Sequence, residues 1–257
     1  MLRIQSFYIY ESFYKEVIMI EIKNLTKKYK DTTALDNVSL TIGDVEFFGL
    51  LGVNGAGKST MLNILSTLVM PTSGDAFIDS HSVVHDREYA KSVIGISTQT
   101  TAVAQNLTVK ENLEFMANIY GFTGKEAEAR VAQAVEAFSL GDKLNARAKT
   151  LSGGYQRRLS IALSLIGEPK IIFLDEPSLG LDVIARRELW SRIRKIGRGK
   201  TVILTTHYLE EAQALCERIC IMNAGRIMAL GSPSEIVEKS GEKSFEEAFI
   251  KIAGGEM

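Results

Sequence analysis

The feature that most constrains this chain is a glycine-rich run placed between an apolar stretch and an amphipathic stretch. The run fits the pattern G-x-x-x-x-G-K-[ST] and consists of Gly52, Val53, Asn54, Gly55, Ala56, Gly57, Lys58 and Ser59. Residues 45–51 before it are almost wholly apolar, and residues 61–68 after it carry apolar side chains at helical spacing. A buried strand, a glycine turn and a helix form the first half of a βαβ unit, so the sequence predicts an α/β fold.

The same run predicts a phosphate-binding loop. Glycines let the backbone turn tightly enough for successive N–H groups to converge on phosphate oxygens, and the helix that follows adds its positive end. In this pattern Lys58 reaches the β- and γ-phosphates and Ser59 ligates Mg²⁺. The fixed positions match by chance with a probability on the order of one per cent, and the flanking strand and helix lower it further.

Two other predicted strands end in polar groups suited to the same site. Residues 171–174 are apolar and lead to Asp175 and Glu176, which we expect to hold Mg²⁺ and to orient or deprotonate an attacking water. Strand side chains alternate faces, so the two carboxylates share a site only if the chain bends, and Pro177 favours a bend by restricting Glu176. Residues 201–206 form another apolar run, which ends at His207.

A third polar motif opens a predicted helix. Leu151, Ser152, Gly153 and Gly154 precede apolar positions at helical spacing in residues 159–166. By spacing alone, this pattern is either an ordinary serine-capped helix or a second anion-binding helix end about a hundred residues from the first.

Composition narrows the classes of protein that this chain can be. It has 257 residues, a hydrophobic fraction of 46% and a formal net charge of −1. These values predict one packed α/β domain and argue against a general nucleic-acid binder. Cys216 and Cys220 fit neither a disulfide framework nor a zinc site, so we expect buried thiols in a reduced cytosolic compartment. No stretch reaches the roughly 18 consecutive apolar residues that cross a bilayer.

Residues 1–18 are predicted to be an extension outside the domain. They are rich in aromatic side chains, but Glu11, Lys15 and Glu16 interrupt any apolar segment, and no small-residue cleavage site follows. A signal peptide is therefore not expected. Two interpretations stay open, a surface-lying amphipathic helix and an upstream-start artefact with Met19 as the natural start. The second is the simpler.

Taken in order, these motifs resemble those of the ABC ATPase family over residues 19–253. Gly52 to Ser59, with the adjoining Thr60, resembles its Walker A motif, residues 151–154 its signature, and residues 171–175 its Walker B motif. Glu176 then resembles the catalytic glutamate that adjoins Walker B. The remaining motifs are matched by Gln99 for the Q-loop, residues 178–182 for the D-loop, His207 for the switch histidine and Tyr29 for the aromatic ring that stacks on adenine.

The resemblance implies a fold of the α/β class. It would be a P-loop NTPase core with a mixed sheet, an N-terminal antiparallel β subdomain and an inserted helical subdomain. We expect a single ABC ATPase domain over residues 19–257, with the helical subdomain at about 101–167 and a C-terminal tail at about 232–257. In that tail Phe245, Phe249 and Ile252 predict one short amphipathic helix.

The resemblance also implies ATP hydrolysis with Mg²⁺. Catalytic roles would fall to Lys58, Gln99, Glu176 and His207, and Mg²⁺ ligation to Ser59, Gln99 and Asp175. Nucleotide contacts would come from a larger set, namely Tyr29, Gly52, Asn54, Gly55, Ala56, Gly57, Lys58, Ser59, Thr60, Ser152, Gly153 and Gly154.

Partners follow from the same resemblance. Two such domains, either identical or paralogous, pair head to tail, so that the signature of one closes over the γ-phosphate bound by the other. The chain would drive a multi-spanning membrane permease from the cytoplasmic face of the cell membrane, and no nucleic-acid partner is expected. The forms of residues 151–158 and 205–212 look like ATPases of drug, antibiotic and lipid exporters, which favours export.

The chain departs from the family's usual pattern at three positions. Val53 and Val183 stand where proline is common, and Tyr155 stands where glutamine is frequent after the signature. None of the three is an expected ligand side chain, so we expect activity to persist.

Two other functions remain open at this stage. One is a soluble ABC ATPase acting on nucleic acid or the ribosome, for which the basic residues between 186 and 200 are the best hint, although a solvated helix face explains them more simply. The other is a small-molecule P-loop kinase, which would leave residues 151–154 without a role.

Overall fold

The computed structural model describes residues 18–254, so the predicted extension lies outside the described residues except for Ile18. The strands in this range are β1 (Ile18–Tyr29), β2 (Thr32–Gly43), β3 (Phe47–Gly52), β4 (Ser73–Ile78), β5 (His81–Ser82), β6 (Ile94–Ser97), β7 (Ile171–Asp175), β8 (Thr201–Thr206), β9 (Arg218–Asn223) and β10 (Arg226–Gly231). The α-helices are α1 (Lys58–Leu65), α2 (Arg87–Val93), α3 (Val109–Ile119), α4 (Gly124–Phe138), α5 (Gly153–Leu165), α6 (Val183–Ile196), α7 (Leu209–Leu215), α8 (Pro233–Ser240) and α9 (Phe245–Gly254). Within residues 18–254, no helix combines the length and the apolar character needed to cross a lipid bilayer.

The larger sheet has six strands in the order β10-β9-β3-β8-β7-β6. Its five strands from β9 to β6 are parallel to their neighbours, and β10 pairs antiparallel to β9. The predicted mixed sheet is thereby confirmed. Because parallel strands point the same way, β3, β6, β7 and β8 all end at one edge of this sheet.

The smaller sheet is antiparallel, with the order β2-β1-β4-β5. Ile20 and Ile22 of β1 pair with Ile42 and Leu40 of β2, and all four side chains are buried. Their neighbours along each strand are more exposed, which is the alternation expected of a sheet with one face on the core. The predicted N-terminal antiparallel sheet is confirmed.

The central strands are covered on both faces. In β7, Ile172 and Leu174 belong to a core shared with α3 to α9, whereas Ile171 and Phe173 belong to a core shared with the antiparallel sheet and α1. Parallel strands buried on two sides read as continuous apolar runs. This explains why the sequence pattern identified β7 and β8 directly.

The helices α3, α4 and α5 form an insertion between β6 and β7. The first of them, α3, begins at a capping box formed by Thr108 and Glu111. Thr108 Oγ1 accepts a hydrogen bond from the Glu111 N–H at 3.1 Å, and Glu111 Oε2 accepts one from the Thr108 N–H at 2.7 Å. This reciprocal capping box satisfies N–H groups that have no partner within the helix. The outer bounds of the helical subdomain and of the C-terminal tail stay predictions.

One local prediction is wrong and another is incomplete. The apolar strand begins at Phe47, because Val45 has a left-handed backbone with a φ of 51° and is exposed in a turn. The amphipathic helix predicted in the tail is present as α9, but the tail also contains a helix that was not predicted, α8. The sequence signals for the short helix α8 are a capping box between Ser232 and Glu235 and a proline, Pro233, at its first position.

Substitution of Phe138 tests the packing of the helical insertion. Phe138 ends α4 and is fully buried in the core shared with α5. We expect Phe138→Ala to lower the free energy of unfolding by about 3–5 kcal/mol, because a buried aromatic side chain leaves a cavity. Urea unfolding measures the loss. The control is Phe115→Ala on the exposed side of α3, which should change stability by less than about 1 kcal/mol. Equal losses in the two variants would contradict this packing.

Candidate functional site

Four separate chain segments meet at one edge of the larger sheet. β3 leads into the glycine-rich run, β7 ends at Asp175 and is followed by Glu176, β8 leads to His207, and β6 leads to Gln99. In the sheet β8 lies between β3 and β7, so the loops after these strands are neighbours. The crevice beyond the carboxyl ends of parallel strands is where open α/β sheets bind ligands.

The glycine-rich run forms a tight loop whose first and last glycines, Gly52 and Gly57, are packed closely against neighbouring backbone. Gly55 and Gly57 have φ values of 82° and 104°, a region that glycine enters without strain. A Cβ added at Gly57 would lie 2.5 Å from the carbonyl oxygen of Ala34 on β2. The loop is also held from the β9–β10 turn, because the Gly225 N–H donates to the Ala56 carbonyl oxygen at 3.0 Å. Contacts with β2 and with the β9–β10 turn therefore hold the loop in place. Thr60 follows it in the first turn of α1 and is half-buried.

Lys58 is the buried cation of this site. Its Nζ donates to the carbonyl oxygens of Gly52 and Val53 at 2.7 and 3.2 Å, and it lies 3.9 Å from Oε1 of Glu176. Burial lowers the pKa of Lys58 below its usual range, and the carboxylates of Glu176 and Asp175 oppose that shift. The ammonium group is thus held at the mouth of the loop, where it can pair with an anion.

Asp175 provides an oxygen ligand next to a hydroxyl. Its Oδ1 accepts hydrogen bonds from Ser59 Oγ at 3.1 Å and from Thr205 Oγ1 at 2.5 Å. Mg²⁺ prefers oxygen ligands and is usually held by one or two carboxylates together with phosphate oxygens. Ser59 and Asp175, adjacent and at the foot of the phosphate-type loop, form a donor set that fits this ion.

Glu176 lies at the predicted bend. Its φ of 49° is left-handed, whereas the proline that follows would favour an extended backbone. The bend is therefore present but has a different conformation from the one that Pro177 favours. It is supported by Thr205, whose carbonyl oxygen and Oγ1 accept hydrogen bonds from the Glu176 N–H at 3.1 and 3.0 Å.

The Glu176 carboxylate has a basic group at each oxygen. Oε2 lies 2.8 Å from Nδ1 of His207, and Oε1 faces Lys58. Both Lys58 and Glu176 are buried, and His207 is half-buried. A carboxylate oriented in this way at the rim of a phosphate-type loop can accept a proton from a bound water.

Two predicted site residues lie at the surface without a side-chain contact to this cluster among the contacts that the structure describes. The Gln99 side chain is exposed just after β6, and its carbonyl oxygen accepts a hydrogen bond from Arg157 at 3.2 Å. The Tyr29 ring is exposed at the end of β1, with Lys27 Nζ 4.8 Å from its centre. Their assigned roles stay predictions.

Ser152, Gly153 and Gly154 open α5 in a separate cleft that also contains residues 180–182. Ser152 Oγ accepts a hydrogen bond from the Tyr155 N–H at 3.4 Å, so the serine caps its own helix. A Cβ added to Gly154 would lie 3.8 Å from Leu181. The capped-helix interpretation is therefore correct for this chain, and an additional anion-binding role stays a prediction.

Sequence reasoning missed three polar residues that support the site. They are Arg157, Thr205 and Glu211, which are buried around the carboxyl ends of β7 and β8. Thr205 could have been found from its place directly before the strand end. For Arg157, the signal was helical spacing, because it lies three, four and seven positions before Ser160, Ile161 and Ser164, which are buried in α5. A charged residue on the buried face of a helix needs partners.

Glu211, on α7, is a buried carboxylate behind the site. Its Oε1 accepts a hydrogen bond from Trp190 Nε1 at 2.9 Å. Burial raises the pKa of Glu211, and the hydroxyls of Thr206 and Ser178 together with the Trp190 N–H oppose that shift without cancelling it. The Glu211 carboxyl therefore joins α6 to α7, and its burial is costly only when it is ionised.

The chain matches a known protein family over more than half of its length. The family model described as "ABC transporter" matches residues 35–179. The Escherichia coli (strain K12) protein named "Probable multidrug ABC transporter ATP-binding protein YbhF" is 37% identical over 240 residues, which are 91% of this chain and 41% of that protein. This chain therefore spans about two fifths of the length of that relative.

Two shorter relatives are matched over a larger share of their length. "Daunorubicin resistance ATP-binding protein DrrA3" of Streptomyces coeruleorubidus is 39% identical over 86% of this chain and 71% of its own. "Nod factor export ATP-binding protein I" of Rhizobium meliloti is 38% identical over 86% of this chain and 67% of its own.

Solved structures agree with the fold. One, described as a dimeric post-hydrolysis state of the ATP-binding cassette MJ0796 bound to ADP and Pi, has a TM-score of 0.76 and 32% identity over 83% of this chain and 98% of that chain. Another, described as an ATP binding subunit of an ABC transporter, has a TM-score of 0.81 and 28% identity over 91% of this chain and 99% of that chain.

Substitution of Glu211 tests the electrostatics behind the site. Because the pKa of Glu211 is raised on folding, the folded protein binds its proton more tightly than the unfolded chain does. The stability from this group is present below its ordinary pKa of 4.5 and is lost as pH rises through the raised value. We therefore expect Glu211→Gln to gain stability relative to the parent protein as pH rises from 4.5 to 8.

Urea unfolding across this pH range measures the effect. Glu210→Gln, at the exposed neighbouring position, should follow the parent protein at every pH. A Glu211→Gln variant that loses stability relative to the parent as pH rises would show that the carboxylate is stabilised in its charged form, contrary to this account.

Proposed function

Because the chain belongs to the ABC transporter family, we propose that it is an ATP-binding and ATP-hydrolysing subunit that drives a separate membrane permease. The observation that carries the catalytic part is the Glu176 carboxylate, held between His207 and Lys58 beside the glycine-rich loop. Four strand ends converge on this place. Membership of the family identifies the bound phosphate compound as ATP, and the geometry around Glu176 supports ATP hydrolysis.

The residues divide the chemistry between them. The N–H groups of the loop and Lys58 bind the β- and γ-phosphates, and they stabilise charge that develops during phosphoryl transfer. Glu176 orients the attacking water and accepts its proton. His207, whose Nδ1 lies 2.8 Å from Glu176 Oε2, keeps that carboxylate oriented.

Mg²⁺ is assigned to Ser59 and Asp175, with Gln99 as a further ligand. When bound, the ion neutralises charge on the phosphate oxygens. Thr205 supports this assignment, because its hydroxyl bonds the same oxygen of Asp175 that Ser59 contacts and so keeps the carboxylate directed at the loop. Tyr29 is assigned to the adenine ring, which its exposed aromatic side chain could stack on.

A second copy or a paralogue completes the site. The cleft containing Ser152, Gly153 and Gly154 is separate from the Lys58 cluster of the same chain, and its helix end can bind an anion from another chain. The related cassette MJ0796 is described as a dimer bound to ADP and Pi. Head-to-tail pairing would place each signature helix on the nucleotide of the other subunit.

The direction of transport is proposed from the relatives. Their names describe daunorubicin resistance and Nod factor export. We assign this chain to an exporter, at the cytoplasmic face of the cell membrane, with the permease supplying the path of the exported molecule.

A surface on α3 is the proposed docking site of the permease. The docking surface consists of Phe115 and Ile119 on α3 and of Tyr120 directly after it, whose side chains are 56%, 61% and 41% exposed. Exposed apolar residues grouped on one surface indicate a contact with another protein. Asn112 ties this helix to the segment that follows Gln99, because its side chain bonds the N–H and the carbonyl oxygen of Ala104 at 2.8 and 3.1 Å. A movement of α3 caused by the permease would therefore be passed through Asn112 to the segment that follows Gln99.

Glu176→Gln tests the hydrolytic role. Removing the proton acceptor while keeping the shape should lower the rate of phosphate release roughly 10²- to 10⁴-fold. ATP binding should persist, because Lys58 and the loop are unchanged. Phosphate release and binding of a fluorescent ATP analogue are measured side by side. The control Glu217→Gln, at an exposed position away from the site, should retain full activity. Unchanged hydrolysis in Glu176→Gln would overturn the assignment.

The docking surface is tested by co-purification from detergent-solubilised native membranes, with Glu176→Gln present to retain ATP. A multi-spanning membrane protein should co-purify, and the further changes Phe115→Glu and Ile119→Glu should reduce its recovery at least about tenfold, because buried unpaired charges oppose association. Ile250→Glu is the matched control, since Ile250 is also 61% exposed but lies on α9.

Co-purification and the phosphate-release assay together separate the rival functions. Recovery of only ribosomes, nucleic acid or soluble proteins would replace the transporter with a soluble ABC ATPase. A phosphorylated metabolite in place of released phosphate would indicate a kinase. Equal loss of the membrane protein with the α3 and α9 changes would remove the docking surface while leaving the transporter role.

A further inference from the structure

Arg157 is a buried cation that bonds only to the backbone among the contacts that the structure describes. Its side chain is on α5, and the residue is 4% exposed. All five N–H donors of the guanidinium reach carbonyl oxygens, at 2.5 to 3.2 Å, and these belong to Thr98, Gln99, Asp175, Glu176 and Pro177.

These acceptors come from only two segments. Residues 98–99 follow β6 and contain the proposed Mg²⁺ ligand Gln99. Residues 175–177 consist of the last residue of β7, Asp175, and the bend after it, which begins at Glu176. Arg157 itself lies five positions after Ser152, the cap of the same helix. One side chain therefore joins three parts of the proposed machinery.

The energetic balance makes this joint rigid. A buried cation is costly unless every donor is satisfied, and here the five carbonyl oxygens replace water. Each lost carbonyl would leave a buried donor unpaired, at a cost larger than the gain from an ordinary hydrogen bond. The guanidinium fork is also planar and of fixed shape, unlike the flexible ammonium of lysine. The two segments can therefore move relative to α5 only if several bonds break together.

We propose that Arg157 is a positioning residue that fixes the Glu176 bend and the Gln99 segment to the signature helix. The inference rests on the proposed function, since it concerns the same reaction. Arg157 does not touch the nucleotide site through its side chain; it holds the backbone from which Glu176 and Gln99 extend. The left-handed turn at Glu176 is the part that most needs such support, because non-glycine residues adopt it at a cost.

This role predicts a particular pattern of kinetic change. The glycine-rich loop and Lys58 make no contact with Arg157 among the described hydrogen bonds, so ground-state nucleotide binding should be preserved. The catalytic carboxylate, by contrast, would lose its fixed position. A misplacement of about 1 Å can cost on the order of a hundredfold in rate. The loss should therefore fall on kcat rather than on KM.

The test compares Arg157→Met with Arg192→Met. Arg192 is the matched control, because it also donates to a backbone carbonyl, that of Ala137 at 3.2 Å, but joins α6 to α4 away from the site. Rates are expressed per nucleotide site titrated with a fluorescent ATP analogue, so that unfolded protein does not count. We expect Arg157→Met to lower kcat roughly ten- to a hundredfold with KM within about twofold. Arg192→Met should match the parent protein.

Arg157→Lys completes the design. It keeps the charge but has three donors in place of five, so its kcat should lie between those of the parent protein and Arg157→Met. If Arg157→Met does not fold, Arg157→Lys decides the question by the same comparison with Arg192→Met.

The inference would be overturned if the Arg157 variants matched Arg192→Met in kcat per titrated site, or if only KM changed. With Glu176→Gln inactive in the same assay, that result would leave the proposed ATPase intact. If instead the parent protein released no phosphate, the proposed function and this inference would both be wrong.

Discussion

Parallel pairing of β3, β8 and β7 is the constraint on which the rest of the structure depends. It sets the carboxyl ends of three strands side by side, and so places a phosphate-type loop, an acidic pair and a histidine within contact of one another. The antiparallel sheet covers one face of these strands and the helices α3 to α9 cover the other. Because both faces are buried, the strand order cannot slip without exposing apolar side chains, and the site inherits that rigidity.

Charge at this edge is balanced by groups from different directions. Lys58 faces the Glu176 carboxylate from the loop side, and Arg157 bonds the backbone of the same bend from the side of α5. Burial alone would disfavour each of these ions. Their mutual arrangement keeps two cations and two carboxylates in a small volume, while Glu211 lies behind them with a pKa raised by burial. Such an arrangement costs stability and is typical of a site built for chemistry rather than for folding.

The departures from the family pattern leave this arrangement intact. Val53 has an exposed side chain, and its carbonyl oxygen accepts hydrogen bonds from Lys58 and from the Ala56 N–H. Tyr155 extends to Asp142, whose carboxylate accepts its hydroxyl hydrogen bond at 2.7 Å. Val183 begins α6 with its side chain exposed. None of these three side chains bonds to the Lys58 cluster among the hydrogen bonds that the structure describes.

The sequence by itself determined the elements whose signal is local. The glycine loop, the apolar strands with polar ends and the capping box at Thr108 each depend on neighbours within a few residues, so Lys58, Ser59, Asp175, Glu176 and His207 could be named in advance. Only the tertiary structure decided how distant segments satisfy one another. Arg157 contacts carbonyls 58 residues before it and 20 residues after it, and Thr205 reaches Asp175 across 30 residues. Every residue has a backbone carbonyl, whatever its side chain. The sequence therefore does not show which residues accept hydrogen bonds from a side chain such as Arg157.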